Sequence, residues 1–212
     1  MRESSDLLVL GLGFILGLKH ATDPDHIVAV TTFLGKERQL RRACGIGLFW
    51  GLGHTIALSI AGIVVIGLKI PISKWLADRL ELVVAVMLIV LGARLIATVH
   101  TRWHEHHHDF AWSGFGLRPL LVGIVHGTAG SAALTLLVLS TISSTLNGLL
   151  YILVFGIGSM LGMLTISVLL ALPIQFAGER LHTAIRPIQI GAGVLSCVFG
   201  LYMAATIWAS LS

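Results

Sequence analysis

The sequence has little charge and only two cysteines. Charged residues make up 11% of its 212 residues, whereas a soluble domain carries about 25%. Because 56% of the residues are hydrophobic, this deficit excludes a soluble enzyme and a nucleic-acid binder. Cys44 and Cys197 lie far apart in apolar runs, which argues against a disulfide framework and a cysteine metal cluster. We therefore expect a polytopic membrane protein surrounded by the lipid bilayer.

Two further sequence signals are missing. The sequence contains no Gly-x-x-x-x-Gly-Lys-Ser/Thr phosphate loop, which excludes ATP hydrolysis by that motif. Residues 1–6 are acidic on balance, and no small-residue cleavage site follows the first apolar run. This pattern predicts that no signal peptide is removed.

Six apolar segments are long enough to cross a bilayer, which requires about 20 residues each. They cover residues 7–33, 43–68, 80–99, 117–139, 146–172 and 187–208. Strands of a membrane barrel would alternate between apolar and polar residues, whereas these segments are continuously apolar. The expected fold class is an all-α polytopic membrane protein with six transmembrane helices, forming a single membrane domain over residues 1–212.

The sequence also contains an internal repeat. Gly-Leu-Lys-His-Ala-Thr at 17–22 aligns with Gly-Ile-Val-His-Gly-Thr at 123–128, an offset of 106 residues. Phe-Trp-Gly-Leu-Gly-His at 49–54 aligns with Val-Phe-Gly-Ile-Gly-Ser at 154–159, an offset of 105. A unit of three spans enters the membrane from opposite sides in its two copies. The prediction is therefore two inverted three-helix repeats, at 7–99 and 117–208.

The distribution of positive charge predicts the orientation. Nine Lys and Arg residues flank the segments on one side of the membrane and four on the other. Because positive residues are retained in the cytoplasm, both termini are expected outside and the histidine-rich loop at 100–116 inside. The expected location is the plasma membrane, that is, the inner membrane in a cell that has two membranes.

Ionisable residues are concentrated in the first apolar segment, where residues 19–26 read Lys-His-Ala-Thr-Asp-Pro-Asp-His. An aspartate inside a span costs about 2.5–3.5 kcal/mol on the insertion scale, so such residues indicate function. On an ideal helix His20, Asp23 and His26 share one face, whereas Asp25 points away from it. Pro24 predicts a kink or an unwound turn, which would allow Asp25 to approach the imidazoles.

This combination of side chains predicts a metal site. Imidazole together with carboxylate suits Ni, Co, Zn, Cu or Fe, and the lack of thiolate argues against a soft-metal site. The second segment adds a histidine at mid-span between glycines and threonine. The candidate metal ligands are His20, Asp23, Asp25, His26 and His54. The alternative is that these polar groups only hydrogen-bond to one another and hold the helices together.

The stretch Lys-His-Ala-Thr-Asp-Pro-Asp-His-Ile resembles the signature of the nickel/cobalt transporter family, in which four residues separate a His from Asp-His. His20, Asp25 and His26 match that signature, and Asp23 matches its His-Ala-x-Asp-x-Asp-His form. Leu-Gly-His-Thr at 52–55 is similar to the family's next motif, Leu-Gly-His-Ser/Thr. The resemblance implies a permease for Ni²⁺ or Co²⁺ that recognises the metal through these His and Asp residues.

The sequence departs from the family pattern in three ways. Pro24 replaces the commoner small residue, and the chain is shorter than the eight-span members. The family's later Gly-Phe-Asp-Thr-Ala-Thr-Glu stretch corresponds to Val-His-Gly-Thr-Ala-Gly-Ser at 125–131, which lacks the acids. This pattern is more similar to the short six-span branch often labelled urease accessory proteins. His126 is an additional candidate ligand.

The loop at 102–109 reads Arg-Trp-His-Glu-His-His-His-Asp and contains a formal His-Glu-x-x-His match. A zinc protease requires that motif on a buried helix with a third ligand, so a polar loop argues against one. We expect loose imidazoles that capture or buffer metal, the alternative being a solvated linker. These candidate ligands are His104, His106, His107 and His108.

The combined prediction is a permease that imports a divalent transition metal, foremost Ni²⁺, driven by the membrane potential or an ion gradient. The metal ion is its substrate, no prosthetic group or nucleic acid is expected, and a homo-oligomer is left open. Two alternatives remain at this point. One is an exporter that confers resistance to nickel or cobalt, and the other is an intramembrane metalloenzyme. The second needs a water-bearing open position and a separate acid–base group.

Overall fold

A computed structural model describes residues 2–34, 39–68, 73–101, 116–129, 144–176 and 182–211. In these ranges the regular secondary structure is entirely α-helical. The helices are α1 (Arg2–His20), α2 (Pro24–Leu34), α3 (Leu40–Leu68), α4 (Lys74–Thr101), α5 (Leu117–Gly127), α6 (Thr145–Phe176) and α7 (His182–Leu211).

Four of these helices are long and apolar enough to cross a membrane. The spans cover Leu40–Val65, Lys74–Val99, Thr145–Pro173 and Arg186–Ser210. The α1–α2 pair is bent by 53° and provides a fifth span if it is counted as one broken helix. The described residues therefore give four or five spans, and the expected six are not confirmed. The fourth expected segment corresponds to the short α5, with residues 130–143 outside the described part.

The break between α1 and α2 follows from the local sequence. Pro24 is the first residue of α2, where a missing backbone N–H costs nothing because that group has no partner inside a helix. The backbone N–H groups of His26 and Ile27 donate to the carbonyl of Asp23, at 3.0 and 3.2 Å. The Thr22 hydroxyl donates to the carbonyl of Lys19 at 2.6 Å and so satisfies the end of α1. The predicted interruption at Pro24 is confirmed.

Helices α3 and α6 form the centre of the bundle. Helix α1 packs on α6, α5 packs on α3, and α4 pairs with α7. Glycines allow the backbones to meet at two of these crossings. A Cβ on Gly17 would overlap the carbonyl oxygen of Phe155, and one on Gly53 would overlap that of Leu120. Small residues at such positions give close helix packing inside a membrane.

The distribution of polarity is that of a protein in lipid. Large apolar side chains such as Ile60, Val86 and Leu201 are more than half exposed on the outside of the helices. Polar side chains such as His54 and Ser159 are fully buried inside the bundle. Apolar residues toward lipid and polar residues toward the interior are the arrangement that a bilayer requires. With the long apolar helices, this identifies a multi-pass membrane protein.

Candidate metal centre

Four histidines meet at the interruption between α1 and α2. His20 is the last residue of α1, and His26 lies in the first turn of α2. His54 comes from the middle of α3, and His126 from the last turn of α5. Each of the four is at most 7% exposed. The broken helix exists because of Pro24, so one local sequence feature brings two of the four imidazoles together.

Three of these imidazoles form one potential ligand group. Nε2 of His20 lies 3.0 Å from Nε2 of His54, and the His26 ring lies with its centroid 4.5 Å from that of His20. One potential ligand atom from each of His20, His26 and His54 lies within 4.8 Å of the others. Nε2 of His26 is buried and has no hydrogen-bond partner in the described part of the chain. Three imidazoles at these distances can share a divalent metal ion.

Asp25 joins a second group. Its Oδ1 lies 3.0 Å from Nδ1 of His26, and its Oδ2 lies 2.8 Å from Nε2 of His126. The backbone N–H of His26 also donates to Oδ1 at 3.0 Å. One ligand atom from each of Asp25, His26 and His126 lies within 4.8 Å of the others. This group therefore offers a metal one negative charge and two imidazoles.

Asp23 lies at the edge of the cluster. Its Oδ2 is 2.9 Å from Nδ1 of His20, and its side chain is 40% exposed. An ionised carboxylate only accepts hydrogen bonds, so Nδ1 of His20 carries the proton and donates it to Asp23. This contact leaves Nε2 of His20 as the unprotonated nitrogen. A carboxylate that orients a histidine in this way raises the basicity of the metal-binding nitrogen.

The structure brings together the six candidate residues of the spans, namely His20, Asp23, Asp25, His26, His54 and His126. It differs from the sequence expectation in how they pair. Asp25 bonds to His26 and His126, whereas the sequence suggested that it would turn toward His20 and His26. His126 is thus a full member of the cluster. The remaining candidates, His104, His106, His107 and His108, lie outside the described residues.

Sequence reasoning missed Trp50. This side chain is fully buried, and its ring stacks on His26 with an interplanar angle of 11° and a centroid distance of 5.9 Å. Its ring also lies 5.7 Å from that of His126. The available signal was its spacing, because Trp50 precedes His54 by one helical turn and shares its face of α3. The indole therefore lies against two imidazoles of the cluster.

The cluster offers donors that could hold a borderline divalent metal ion. Its donors are imidazole nitrogens and carboxylate oxygens, the set that suits nickel, cobalt, zinc and copper.

Comparison with known proteins gives a consistent result. A family model described as a high-affinity nickel-transport protein matches residues 7–108. The chain is 41% identical over 211 residues to the urease accessory protein UreH of Bacillus sp. (strain TB-90), covering 94% of this chain and 92% of that one. It is 28% identical over 208 residues to a Methanocaldococcus jannaschii protein named for a nickel/cobalt efflux system, covering 94% of each. No solved structure matches the chain significantly.

The family assignment agrees with the two His-containing motifs, which both lie in the matched region. It also removes the metalloenzyme alternative, since the matched proteins are transport and accessory proteins. The chain therefore belongs to the NicO nickel-transport family.

Proposed function

We propose that this protein is a permease that imports Ni²⁺ through the plasma membrane. The observation that carries the proposal is a buried cluster of four imidazoles and a carboxylate at the interruption of a spanning helix. Interrupted helices in transporters place binding groups near mid-membrane. Buried ionisable residues in a membrane mark ion pathways, because hydrogen bonding alone does not require such costly groups.

The ligands of the transported ion are His20, Asp25, His26, His54 and His126, with Asp23 orienting His20. Nickel binds such a nitrogen-rich site more tightly than cobalt does, as expected from the order of affinities of divalent metals. Cobalt has the same ligand preference and is therefore a second, weaker substrate.

We also propose that the chain consists of two inverted three-helix repeats, with both termini outside the cell. The glycine contacts support this proposal. Gly17 of α1 meets the carbonyl of Phe155 in α6, and Gly123 of α5 meets the carbonyl of Trp50 in α3. Gly123 follows Gly17 by 106 residues and Phe155 follows Trp50 by 105, the offsets of the sequence repeat. The two contacts are therefore the same contact with the repeats exchanged.

A second pair of contacts follows the same rule. Gly158 of α6 meets Phe14 of α1, and Gly53 of α3 meets Leu120 of α5. These residues are again related by offsets of 105 and 106. An exchange of the two halves that preserves contacts of individual residues is what a two-fold axis between repeats produces.

The energetics favour import. A cation entering an interior-negative cell gains about 2.3 kcal/mol per charge per 100 mV, or ~7 kcal/mol for a divalent ion at ~150 mV. At ~1.4 kcal/mol per decade this supports an accumulation near 10⁵-fold. Import therefore needs no further source of energy, whereas export of the same ion must be coupled to another gradient.

The test is radionickel uptake into vesicles that contain the purified protein, with an interior-negative potential imposed by potassium diffusion. We expect saturable uptake that increases with the potential, and none above the protein-free level for His26→Asn vesicles. Uptake that does not depend on the membrane potential would contradict the proposal. Uptake by the His26→Asn variant at the parental rate would also contradict it.

The second candidate is export, and the name of the Methanocaldococcus jannaschii relative favours it. An exporter has to exchange Ni²⁺ for another ion such as H⁺. The same vesicles distinguish the two. Nickel movement driven by an imposed pH gradient at zero potential supports export, and movement driven by the potential alone supports import.

A further inference from the structure

We propose that the metal cluster consists of two alternative stations that share His26, and that the ion passes from one to the other during transport. The imidazole station is His20, His26 and His54, and the carboxylate station is Asp25, His26 and His126. This inference rests on the proposed transport of Ni²⁺ and states how the cluster carries it out.

The geometry of His26 is the basis of the proposal. Its ring centroid lies 4.5 Å from that of His20 and 4.1 Å from that of His126, so it faces a member of each station. Its Nδ1 is bonded to Asp25, while its Nε2 is buried without a partner among the described residues. The two nitrogens lie at different edges of the ring. One ring can therefore serve each station through a different nitrogen.

The proton on His26 and the ion occupy opposite nitrogens of the ring and exchange places during transfer. When Nε2 binds the ion at the imidazole station, Nδ1 carries the proton and donates it to Asp25. For Nδ1 to bind the ion at the carboxylate station, its proton has to leave to water and an equivalent proton has to reach Nε2 from water, so that Nε2–H replaces Nδ1–H. The ring remains neutral in both states, so transfer of the ion requires no net gain or loss of a proton.

The stations differ in their ligand atoms. The imidazole station offers three imidazoles, with the Asp23 carboxylate bonded to the far side of His20, whereas in the carboxylate station the Asp25 carboxylate is itself a ligand. Two divalent ions a few ångströms apart in a low-dielectric interior repel strongly, so the stations are occupied one at a time. Conduction needs a binding affinity high enough for an ion to enter, and distribution of that affinity over several sites allows the ion to leave.

The stations also differ in which part of the chain supplies them. The imidazole station is built from α1, α2 and α3 alone. The carboxylate station combines Asp25 and His26 of α2 with His126 of α5. A relative movement of α5 and the α1–α2 break therefore changes one station and leaves the ligands of the other together. This arrangement couples the position of the ion to the arrangement of the two halves.

The first part of the test measures Ni²⁺ binding to the purified full-length protein by equilibrium dialysis. We expect one Ni²⁺ per chain. His54→Asn and His126→Asn each leave one station complete, so each is expected to weaken binding by about 10-fold or less. His26→Asn damages both stations and is expected to weaken it by ~100-fold or more. The double variant His54→Asn/His126→Asn should match His26→Asn.

The second part measures radionickel uptake by the same variants in vesicles. Transfer needs both stations, so His54→Asn and His126→Asn should each lower uptake by ~10-fold or more although they still bind the metal. Either single variant binding as poorly as His26→Asn would contradict two stations and indicate one undivided site. Two Ni²⁺ bound per chain, or a single variant with parental uptake, would also contradict them.

A folding control keeps the result decisive. Each variant is checked for helical content by circular dichroism, and a variant that does not fold is replaced by the corresponding Gln substitution. The two proposals fail differently. If the parental protein neither binds nor transports Ni²⁺, the proposed function fails. If the parental protein transports Ni²⁺ but either single variant binds it as poorly as His26→Asn does, only the two stations are overturned.

Discussion

The ends of α1 and α5, one in each half of the chain, share a hydrogen bond, but the two halves differ in chemistry. In the first half, the Thr22 hydroxyl donates to the carbonyl of Lys19 at the end of α1. In the second half, the Thr128 hydroxyl donates to the carbonyl of Val125 at the end of α5. The two bonds, 2.6 and 2.7 Å long, join residues that the 106-residue offset relates. Two helices thus end in the same way just after His20 and His126.

The chemistry is concentrated in the first half. His54 of α3 corresponds to Ser159 of α6 by the 105-residue offset, and both side chains are fully buried. The first half supplies both aspartates of the cluster, whereas the second half contributes His126. Small residues therefore specify the helix crossings in both halves, while a few substitutions decide which half supplies most of the imidazole and carboxylate groups.

The largest effect is expected from His26→Ala, because this residue belongs to both ligand groups. Uptake of radionickel by vesicles should fall ~100-fold or more, since removal of ligand interactions costs metal sites at least that much. Thr32→Ala is the matched control on the same helix. Its hydroxyl is buried but donates to Ala29 of its own helix at 2.7 Å. Equal losses in the two variants would mean that α2 is merely sensitive to substitution.

The loss of uptake is expected to be smaller at His54 of α3 than at His26, and smaller still at the equivalent Ser159 of α6. His54→Ala should lower uptake by about 10- to 100-fold, because Nε2 of His54 lies 3.0 Å from that of His20. Ser159→Ala should change uptake less than about 2-fold, since a hydroxyl is a poor ligand for these metals. The measurement is the initial rate at several Ni²⁺ concentrations. Equal losses would show that the halves share chemistry as well as packing.

Substitutions of equivalent glycines in the two halves are expected to lower the free energy of unfolding equally. Gly53→Ala and Gly158→Ala should each destabilise the folded protein by about 1–3 kcal/mol, because the added Cβ overlaps the backbone of the neighbouring helix. Gly11→Ala is the control, since a Cβ there meets nothing within 4 Å, and it should be neutral or stabilising. Thermal unfolding in detergent measures all three. A destabilisation confined to one half would contradict the common packing.

The smallest effect is expected in the histidine-rich loop. Replacement of His100, His104, His106, His107 and His108 by Ser should change the apparent affinity for Ni²⁺ by less than about 3-fold, because neighbouring imidazoles in the sequence can substitute for one another. Saturable uptake should persist. Loss of uptake with normal membrane insertion would place the loop in the path of the ion.

The sequence was sufficient to predict the features that depend on local chemistry. A proline between two aspartates in an apolar segment predicted the interruption, and the structure begins α2 at Pro24. The candidate ligands of the first two apolar segments were identified because ionisable groups are costly in a membrane. The helix positions followed from length and hydropathy, which define four of the spans directly.

The features that could not be predicted depend on contacts between distant segments. The bond between Asp25 and His126 joins residues 101 positions apart, and an ideal-helix projection pointed Asp25 away from the cluster. The stacking of Trp50 on His26 likewise arises from the packing of α3 against the broken helix. Local periodicity contains no information on such pairs, although the repeat offset gave a partial signal for His126.

We propose that transported Ni²⁺ is held by the buried His–Asp cluster. X-ray absorption at the nickel edge identifies the atoms that bind the metal and so tests this proposal. The measurement uses purified Ni²⁺-loaded protein, the loop variant with five serines, and His26→Asn. We expect a nitrogen and oxygen shell with imidazole scattering in the first two samples and loss of bound nickel in the third. A sulfur ligand, or an imidazole signal that disappears in the loop variant and persists in His26→Asn, would contradict it.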